Sequence, residues 1–249
     1  MRIPRSIFSR SDIFRTLPAS LAAAFLLASA TLAQPAIATR SGEPPNLGEL
    51  KQRILVYRKS GDYERQLAAV AAKAHAYIGQ RAVEALRPAL VLDIDETSLS
   101  NWTQIMANDF GYIESGACDR LPKGPCGARA WDGKAMAPAI KSTLMLFNAA
   151  RAKGVSVFFI TGRNEGERVA TIRNLHRAGY RGWTKLIMKP AGLSVKSAAD
   201  FKAPERAKIA AAGYTIIANM GDQPSDLAGG NPDDRAAQFL LPNPFYRIP

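Results

Sequence analysis

The chain has 249 residues, of which 47% are hydrophobic and 22% are charged, enough for one large domain with a buried core. Its formal net charge of +12 falls to +9 when the four arginines and one aspartate of the first 38 residues are set aside. This charge favours anionic substrates, but no nucleic-acid-binding motif accompanies it, so a nucleic acid polymer is not the expected partner.

The first 38 residues have the pattern of a signal peptide. Four arginines, Arg2, Arg5, Arg10 and Arg15, precede an apolar run over residues 21–30. That run is too short to span a bilayer, and Ala36-Ile-Ala38 supplies the small residues of a cleavage site. We expect cleavage near Ala38 and a periplasmic or secreted protein, residues 39–249, that is not inserted in a membrane; an uncleaved anchor is the alternative.

Apolar periodicity predicts the elements that follow. Two helices, over 47–57 and from about 62 to 86, precede the first strand. Four short apolar runs then predict strands at Ala89–Leu92, Val155–Ile160, Lys185–Met188 and Tyr214–Ala218. Helices are expected near 138–152, 165–178 and 203–212, each followed by a glycine suited to end it: Gly154, Gly179 and Gly213. This alternation predicts a three-layer, Rossmann-like α/β fold, with a parallel sheet between two layers of helices.

The connection after the first predicted strand is too long for an ordinary loop and lacks helical periodicity. We therefore expect a small cap, inserted at about residues 98–137 of a single domain, above the strand ends. Cys118 and Cys126 lie within it in a segment rich in glycine and proline. Two cysteines are too few for a cysteine-based zinc site, and in an oxidising compartment they favour a disulfide over free thiols.

Polar residues follow the predicted strands where the strands end. They are Asp93 and Asp95 after the first strand, Thr161, Gly162 and Arg163 after the second, and Asp222 and Asp226 after the fourth, with Lys202 before the helix that leads to the fourth. Ligands of open parallel sheets bind at the carboxyl ends of the strands, so we expect these residues to converge. Clustered carboxylates repel one another and require a cation, and an oxygen-only ligand set favours Mg²⁺.

Four segments carry a family resemblance: Asp93–Trp102, Phe158–Glu165, Phe201-Lys202 and Gly221–Leu227. In these segments, which occur in the family's order, the chain resembles the class B acid phosphatase group of the haloacid dehalogenase-type phosphohydrolases. That group includes plant acid phosphatases, vegetative storage proteins and bacterial acid phosphatases. The resemblance covers the chain from about Leu47 to its C-terminus.

The resemblance implies two catalytic carboxylates. Asp93 would be the nucleophile that forms an aspartyl phosphate. Asp95 would protonate the leaving oxygen and then accept a proton from the hydrolytic water. An aspartate at position 95 favours phosphate-ester cleavage over the chemistry of the transport ATPases or the dehalogenases. The presence of Asp93 favours an active enzyme, since storage members of the family often lack the nucleophile.

The resemblance also implies the binding residues. Thr161, Gly162 and Lys202 would bind the phosphoryl oxygens, with Lys196 as the alternative lysine. Magnesium would be bound by the Asp93 carboxylate, the backbone carbonyl of Asp95 and Asp222, with Asp226 bound directly or through water.

Two residues keep two interpretations each. Arg163 would contact phosphate or hold the loop after Thr161, and Trp102 would stack on a substrate or pack in the core. His75 and His176 lie away from every motif, which counts against a histidine-type acid phosphatase.

We therefore expect an exported, magnesium-dependent acid phosphatase for small phosphomonoesters, with nucleoside monophosphates among the candidates. The alternatives are a phosphotransferase that uses the same intermediate and a non-catalytic storage or binding protein of the same fold.

Overall fold

The computed structural model describes residues 43–229 and 238–248, so the predicted signal peptide lies outside the described residues. Within these two ranges, no helix combines the length and the apolarity needed to cross a bilayer.

A five-stranded sheet forms the centre of the fold. Its strands are β1 (Pro88–Leu92), β2 (Ser156–Asn164), β3 (Lys185–Lys189), β4 (Thr215–Gly221) and β5 (Gln238–Leu240). The strand order is β3-β2-β1-β4-β5, and every neighbouring pair is parallel. The first four strands confirm the strands predicted from the apolar runs. The edge strand β5 was not predicted, because it has three residues and none of them is fully buried.

Helices cover both faces of the sheet. They are α1 (Leu47–Lys59), α2 (Asp62–Arg81), α3 (Trp102–Ala107), α4 (Ala128–Lys134), α5 (Lys141–Ala152), α6 (Arg168–Arg177), α7 (Ala198–Ala211) and α8 (Pro224–Leu227). Successive residues of β1 point to opposite faces: Leu90 and Leu92 pack in one apolar cluster with α2, α5 and α6, while Ala89 and Val91 pack in a second one with α7. The predicted three-layer fold is confirmed.

Helix α7 begins earlier than the sequence pattern predicted. Ser197 caps it by accepting a hydrogen bond from the Ala199 amide, so Lys202 lies inside the helix rather than before it. At the ends of α5, α6 and α7, the predicted glycines Gly154, Gly179 and Gly213 all have positive φ angles (76°, 100° and 84°).

The segment expected to be a cap, residues 98–137, holds α3 and α4 and is named the cap segment below. Its two ends are joined: the Ser100 amide donates to the Pro138 carbonyl and the Ile140 amide donates to the Ser98 carbonyl, both at 2.9 Å. The predicted disulfide between Cys118 and Cys126 is present and buried.

Candidate active site

Three buried aspartates meet at the carboxyl ends of β1 and β4. The Asp93 amide donates to the Met220 carbonyl at 3.0 Å, so Asp93 extends the pairing of these two strands. Asp222 directly follows β4, and Asp226 comes from the short helix α8 after it. Carboxylate oxygens of the three residues lie within 4.8 Å of one another. The strands therefore bring together three of the four predicted metal ligands.

Gly221 makes this arrangement possible. A Cβ atom at position 221 would lie 2.3 Å from the Cβ of Asp226, closer than two carbon atoms can approach. The absence of a side chain thus lets Asp226 fold back over the end of β4. An oxygen-only set of buried carboxylates, crowded in this way, fits a hard divalent cation such as Mg²⁺.

Lys202 supplies a fixed positive charge beside this cluster. Its Nζ donates to Asp93 Oδ1 and to Asp226 Oδ1, both at 2.5 Å, and the residue is only 4% exposed. Burial lowers the pKa of Lys202, but the two carboxylates outweigh it and hold that pKa above its ordinary value. Burial and neighbouring carboxylates raise the pKa of Asp93 despite Lys202. Of the two lysines considered from the sequence, Lys202 is the one in contact with Asp93.

Asp95 is held by an arginine and an amide. Arg163 Nε donates to Asp95 Oδ2 at 3.0 Å and Nη2 to Oδ1 at 2.6 Å, while Asn101 Nδ2 donates to Oδ1 at 2.8 Å. Burial raises the pKa of Asp95, but the Arg163 charge and these hydrogen bonds outweigh it, so the pKa lies below its ordinary value. Arg163 and Asn101 therefore favour the ionised form of Asp95.

Arg163 also contacts the cap segment. Its Nη2 lies 3.0 Å from Asp132 Oδ1 on α4, and its backbone amide donates to Thr161 Oγ1 at 3.1 Å. Its Nη1 is buried and has no hydrogen-bond partner among the described residues. Strand β2 runs past Thr161 to Asn164, so Thr161, Gly162 and Arg163 lie within the strand rather than after it as expected. The Arg163 side chain thus joins the end of β2 to Asp95 and to α4, and its Nη1 is a buried donor available to a ligand.

A cavity of about 650 Å³ opens above the carboxylates. Asp93, Asp95, Gly162, Lys202, Asp222 and Asp226 all line it, whereas Thr161 is fully buried and does not. Its upper wall contains aromatic side chains of the cap segment and of the residues after β5, namely Phe110, Tyr112, Trp131, Phe245 and Tyr246. The cavity therefore joins a charged floor to an aromatic wall.

Trp102, considered from the sequence as a substrate contact, lies behind this wall. Its ring packs 6.0 Å from that of Phe110 and 5.3 Å from that of Phe245, and the Arg58 guanidinium lies 4.8 Å from it. The structure brings Phe110 and Phe245, rather than Trp102, to the cavity. Trp102 supports these two rings of the cavity wall.

Sequence analysis missed several polar residues of the site. Glu96 is fully buried, and it accepts hydrogen bonds from the Asn101 amide at 2.6 Å and from the Tyr246 hydroxyl. Burial and the Asp95 charge raise the pKa of Glu96 to about 8. Asp132 and Asn243 also reach the site, but both lie outside the motifs. Of these residues, only Glu96 could have been predicted from sequence, since it lies between Asp95 and Thr97 in the first motif.

Comparisons with known proteins identify the family of the chain. A family model described as HAD superfamily, subfamily IIIB (Acid phosphatase) matches residues 45–249. The chain is 34% identical over 164 residues to "Acid phosphatase 1" of Solanum lycopersicum, covering 65% of this chain and 60% of that protein. It is 35% identical over 161 residues to "Stem 28 kDa glycoprotein" of Glycine max, covering 64% and 59%. The chain thus spans about three fifths of the length of these curated relatives.

A solved structure supports the fold. The class C acid phosphatase from Bacillus anthracis with tungstate bound superimposes with a TM-score of 0.61 and 23% identity, over 80% of this chain and 86% of that one. The family match covers nearly all of the described residues, and it confirms the family predicted from the four motifs. The chain belongs to subfamily IIIB, the acid phosphatases, of the HAD superfamily.

Proposed function

We propose that the chain is an exported, metal-dependent acid phosphatase that hydrolyses small phosphate monoesters through an aspartyl phosphate on Asp93. The observation that carries the proposal is the contact of Lys202 with both Asp93 and Asp226 on the floor of the cavity. A carboxylate held against a buried ammonium group is suited to attack an anionic phosphoryl group, because the positive charge offsets the repulsion between the two anions.

The metal site follows from the same cluster. Asp93, Asp222 and Asp226, with the backbone carbonyl of Asp95, would hold a divalent ion, and their oxygen ligands favour Mg²⁺. The bound ion would supply further positive charge for the phosphoryl oxygens.

Two steps complete the reaction. In the first, an Asp93 carboxylate oxygen bonds to phosphorus, the bond to the leaving oxygen breaks, and Asp95 gives that oxygen its proton. In the second, water attacks the phosphorus atom, Asp95 takes the proton from the water, and the bond between phosphorus and Asp93 breaks to release phosphate. Lys202 stays charged throughout, and Arg163 Nη1 donates to a phosphoryl oxygen.

An acidic optimum is consistent with the partners of Asp95. Since Arg163 and Asn101 keep its pKa below the ordinary value, the protonated form that serves as general acid becomes more populated as pH falls. Protonation of a leaving alkoxide is then favoured under acidic conditions.

The aromatic wall supports substrates with an organic leaving group. Phe110, Tyr112 and Phe245 offer flat apolar surfaces above the carboxylates, and nucleoside monophosphates are the candidates we would test first. Export is supported by the signal-like sequence of residues 1–38 and by the Cys118–Cys126 disulfide.

The test is phosphate release by the purified protein from p-nitrophenyl phosphate and from a panel of nucleotides and sugar phosphates. We expect turnover with Mg²⁺, loss of turnover with EDTA and recovery when Mg²⁺ is added back. Adding glycerol as an acceptor separates the two uses of the intermediate, since a phosphotransferase would form glycerol phosphate in place of free phosphate. Full activity in EDTA would contradict the metal dependence.

A further inference from the structure

The residues after β5, named here the C-terminal segment (residues 241–248), return to the carboxyl ends of the strands. The Leu241 amide donates to the Gly221 carbonyl at 2.8 Å, and the Ile248 amide donates to Gln223 Oε1 at 3.0 Å. Polar contacts thus tie both ends of the segment to the residues that flank Asp222.

Apolar packing fixes the middle of the same segment. Phe245 is 8% exposed, and its ring packs 5.1 Å from that of Tyr63 and 5.3 Å from that of Trp102. The Tyr246 hydroxyl donates to the buried Glu96. The backbone on both sides of this anchor is therefore held in place, and a polar group on it can be positioned accurately.

Asn243 uses this position to contact a metal ligand. Its Nδ2 donates to Asp222 Oδ2 at 2.8 Å. The same oxygen accepts from Gln223 Nε2 at 2.6 Å, while Asp222 Oδ1 accepts from the Thr97 hydroxyl at 2.9 Å. Three donors on a carboxylate leave it little freedom to rotate, and only one of them, Gln223, is adjacent to it in sequence.

The orientation of the Asn243 amide is fixed by its other end. Asn243 Oδ1 accepts from the backbone amides of Phe245 at 2.9 Å and Tyr246 at 3.4 Å, an Asx turn in the segment's own backbone. The oxygen is thereby committed to the turn, so the Nδ2 donor faces Asp222. One side chain shapes the segment and holds the carboxylate.

We propose that Asn243 is a positioning residue for the metal site, which sets the orientation of Asp222 from the C-terminal segment. The inference rests on the metal site of the proposed function. Side chains that hold a ligand in place typically change metal affinity by about 10- to 100-fold when they are removed. We expect a loss of that size for Asn243, and we expect it to appear as weaker metal binding rather than as a slower saturated reaction.

The experiment compares the full chain with Asn243→Ala, Asn243→Ser and a control, Pro244→Ala, an exposed position of the same segment. Serine keeps an oxygen for the turn but is too short to reach Asp222. Mg²⁺ and Mn²⁺ are titrated into the EDTA-treated proteins by calorimetry, and thermal unfolding is followed with and without metal. Neither readout requires turnover.

We expect both Asn243 variants to bind Mg²⁺ about 10- to 100-fold more weakly, to unfold near the wild-type temperature without metal, and to regain turnover at high Mg²⁺. Pro244→Ala should bind like the wild type.

Several results would overturn the inference. One is wild-type Mg²⁺ affinity in Asn243→Ala. A second is wild-type Mg²⁺ affinity in Asn243→Ser but not in Asn243→Ala, which would mean that Asn243 acts only through the turn. A third is loss of the fold in both variants. A wild-type chain that binds no metal would also overturn it. A chain that binds metal but releases no phosphate refutes the proposed function, while the variants still decide the role of Asn243.

Discussion

The floor and the aromatic wall of the cavity differ in charge, in burial and in the kind of side chain that forms them. The floor at the strand ends is charged and buried, and each of its side chains is held by at least one partner, as Lys202 is by Asp93 and Asp226. The aromatic wall, formed by the cap segment and by residues after β5, is partly exposed, with Tyr112 at 79% exposure. A rigid floor fixes the positions of reacting groups, whereas an exposed wall tolerates change. For the proposed function, the comparison predicts that residues at the strand ends carry the reaction and that the cap segment sets the choice of substrate.

Helix α4 of the cap segment connects the aromatic wall to the floor. Trp131 Nε1 donates to Asn101 Oδ1 at 2.8 Å, and Asn101 in turn donates to Asp95. The next residue, Asp132, contacts Arg163, the second partner of Asp95. The cap segment therefore reaches the proposed acid and base through two side chains, and the division between the floor and the aromatic wall can be tested there.

The largest effect is expected on the floor. Asp93→Asn should lower turnover by about 10³-fold or more, since the amide cannot form the aspartyl phosphate. The raised pKa of Asp93 means that a neutral group is tolerated at this buried position, so thermal stability without metal should not fall. Phosphate release and thermal unfolding measure the two effects. Wild-type turnover would refute the mechanism.

Lys202→Met should lower both activity and stability. It leaves Asp93 and Asp226 as buried carboxylates without their shared cation, at a cost of about 3–5 kcal/mol in the free energy of unfolding. Turnover should fall about 10²- to 10³-fold, since the variant lacks the positive charge that Lys202 places beside the phosphoryl group. Denaturant unfolding and steady-state kinetics check both values, with Lys196→Met as the matched lysine on the cavity wall. Equal losses in the two variants would contradict the assignment to Lys202.

Arg163→Gln tests the connection between the floor and the aromatic wall, and the readout is the pH–rate profile. Arg163 lowers the pKa of Asp95, so without it burial dominates and that pKa rises. The limb of the pH–rate profile that reports Asp95 should then move to higher pH, whether its acid or its base role limits the rate. Arg173→Gln, an exposed arginine on α6, should leave the profile unchanged. A shift to lower pH would show that Asp95 does not control that limb.

Tyr112→Ala should change substrate choice without changing the chemistry. The exposed ring adds apolar contact to a leaving group, so its loss should raise KM about ten-fold for an aryl phosphate or nucleotide and leave kcat unchanged. A small aliphatic phosphate ester serves as the internal control and should be nearly unaffected. An equal fall in kcat for all three esters would show that Tyr112 acts in the reaction rather than in substrate choice.

Replacing both Cys118 and Cys126 by serine should have the smallest effect on turnover. The short ring lies in the cap segment, and its loss should cost about 2.5 kcal/mol of stability. Denaturant unfolding gives that value, and turnover of p-nitrophenyl phosphate should stay close to wild type. A loss of turnover as large as that of Lys202→Met would show that the reaction at the floor depends on the structure of the cap segment.

The position of the floor was predictable from sequence because Asp93 and Asp222 directly follow buried central strands. Such strands are continuous apolar runs, and the polar residue after each run marks its carboxyl end, as Asp93 does after β1. Edge strand β5 lacks that signal, and the path of the chain after it was not predicted. Asn243 was missed for this reason, since a lone asparagine has no pattern and acquires its role only from where the chain returns.

The cap segment was predictable as an insertion but not in its contacts. Length and composition indicated its bounds and its disulfide, yet the sequence left Trp102 as either a substrate contact or a core residue. The ring packs between Phe110 and Phe245, residues that are far apart in sequence. Such an arrangement follows from tertiary packing, which local periodicity does not encode.

The joined ends of the cap segment have a consequence for how this scaffold can be altered. Ser100 pairs with Pro138 and Ser98 with Ile140, so two backbone hydrogen bonds join the beginning of the cap segment to its end; this pair is named the neck. Exchanging everything beyond that neck changes the length of a closed loop, and loop-closure entropy depends only weakly on length. Segments from other family members can therefore be grafted there if they keep the amide that Asn101 donates to Asp95 and the carboxylate that Asp132 presents to Arg163, and such chimaeras should keep the reaction while acquiring the donor's preference for leaving groups.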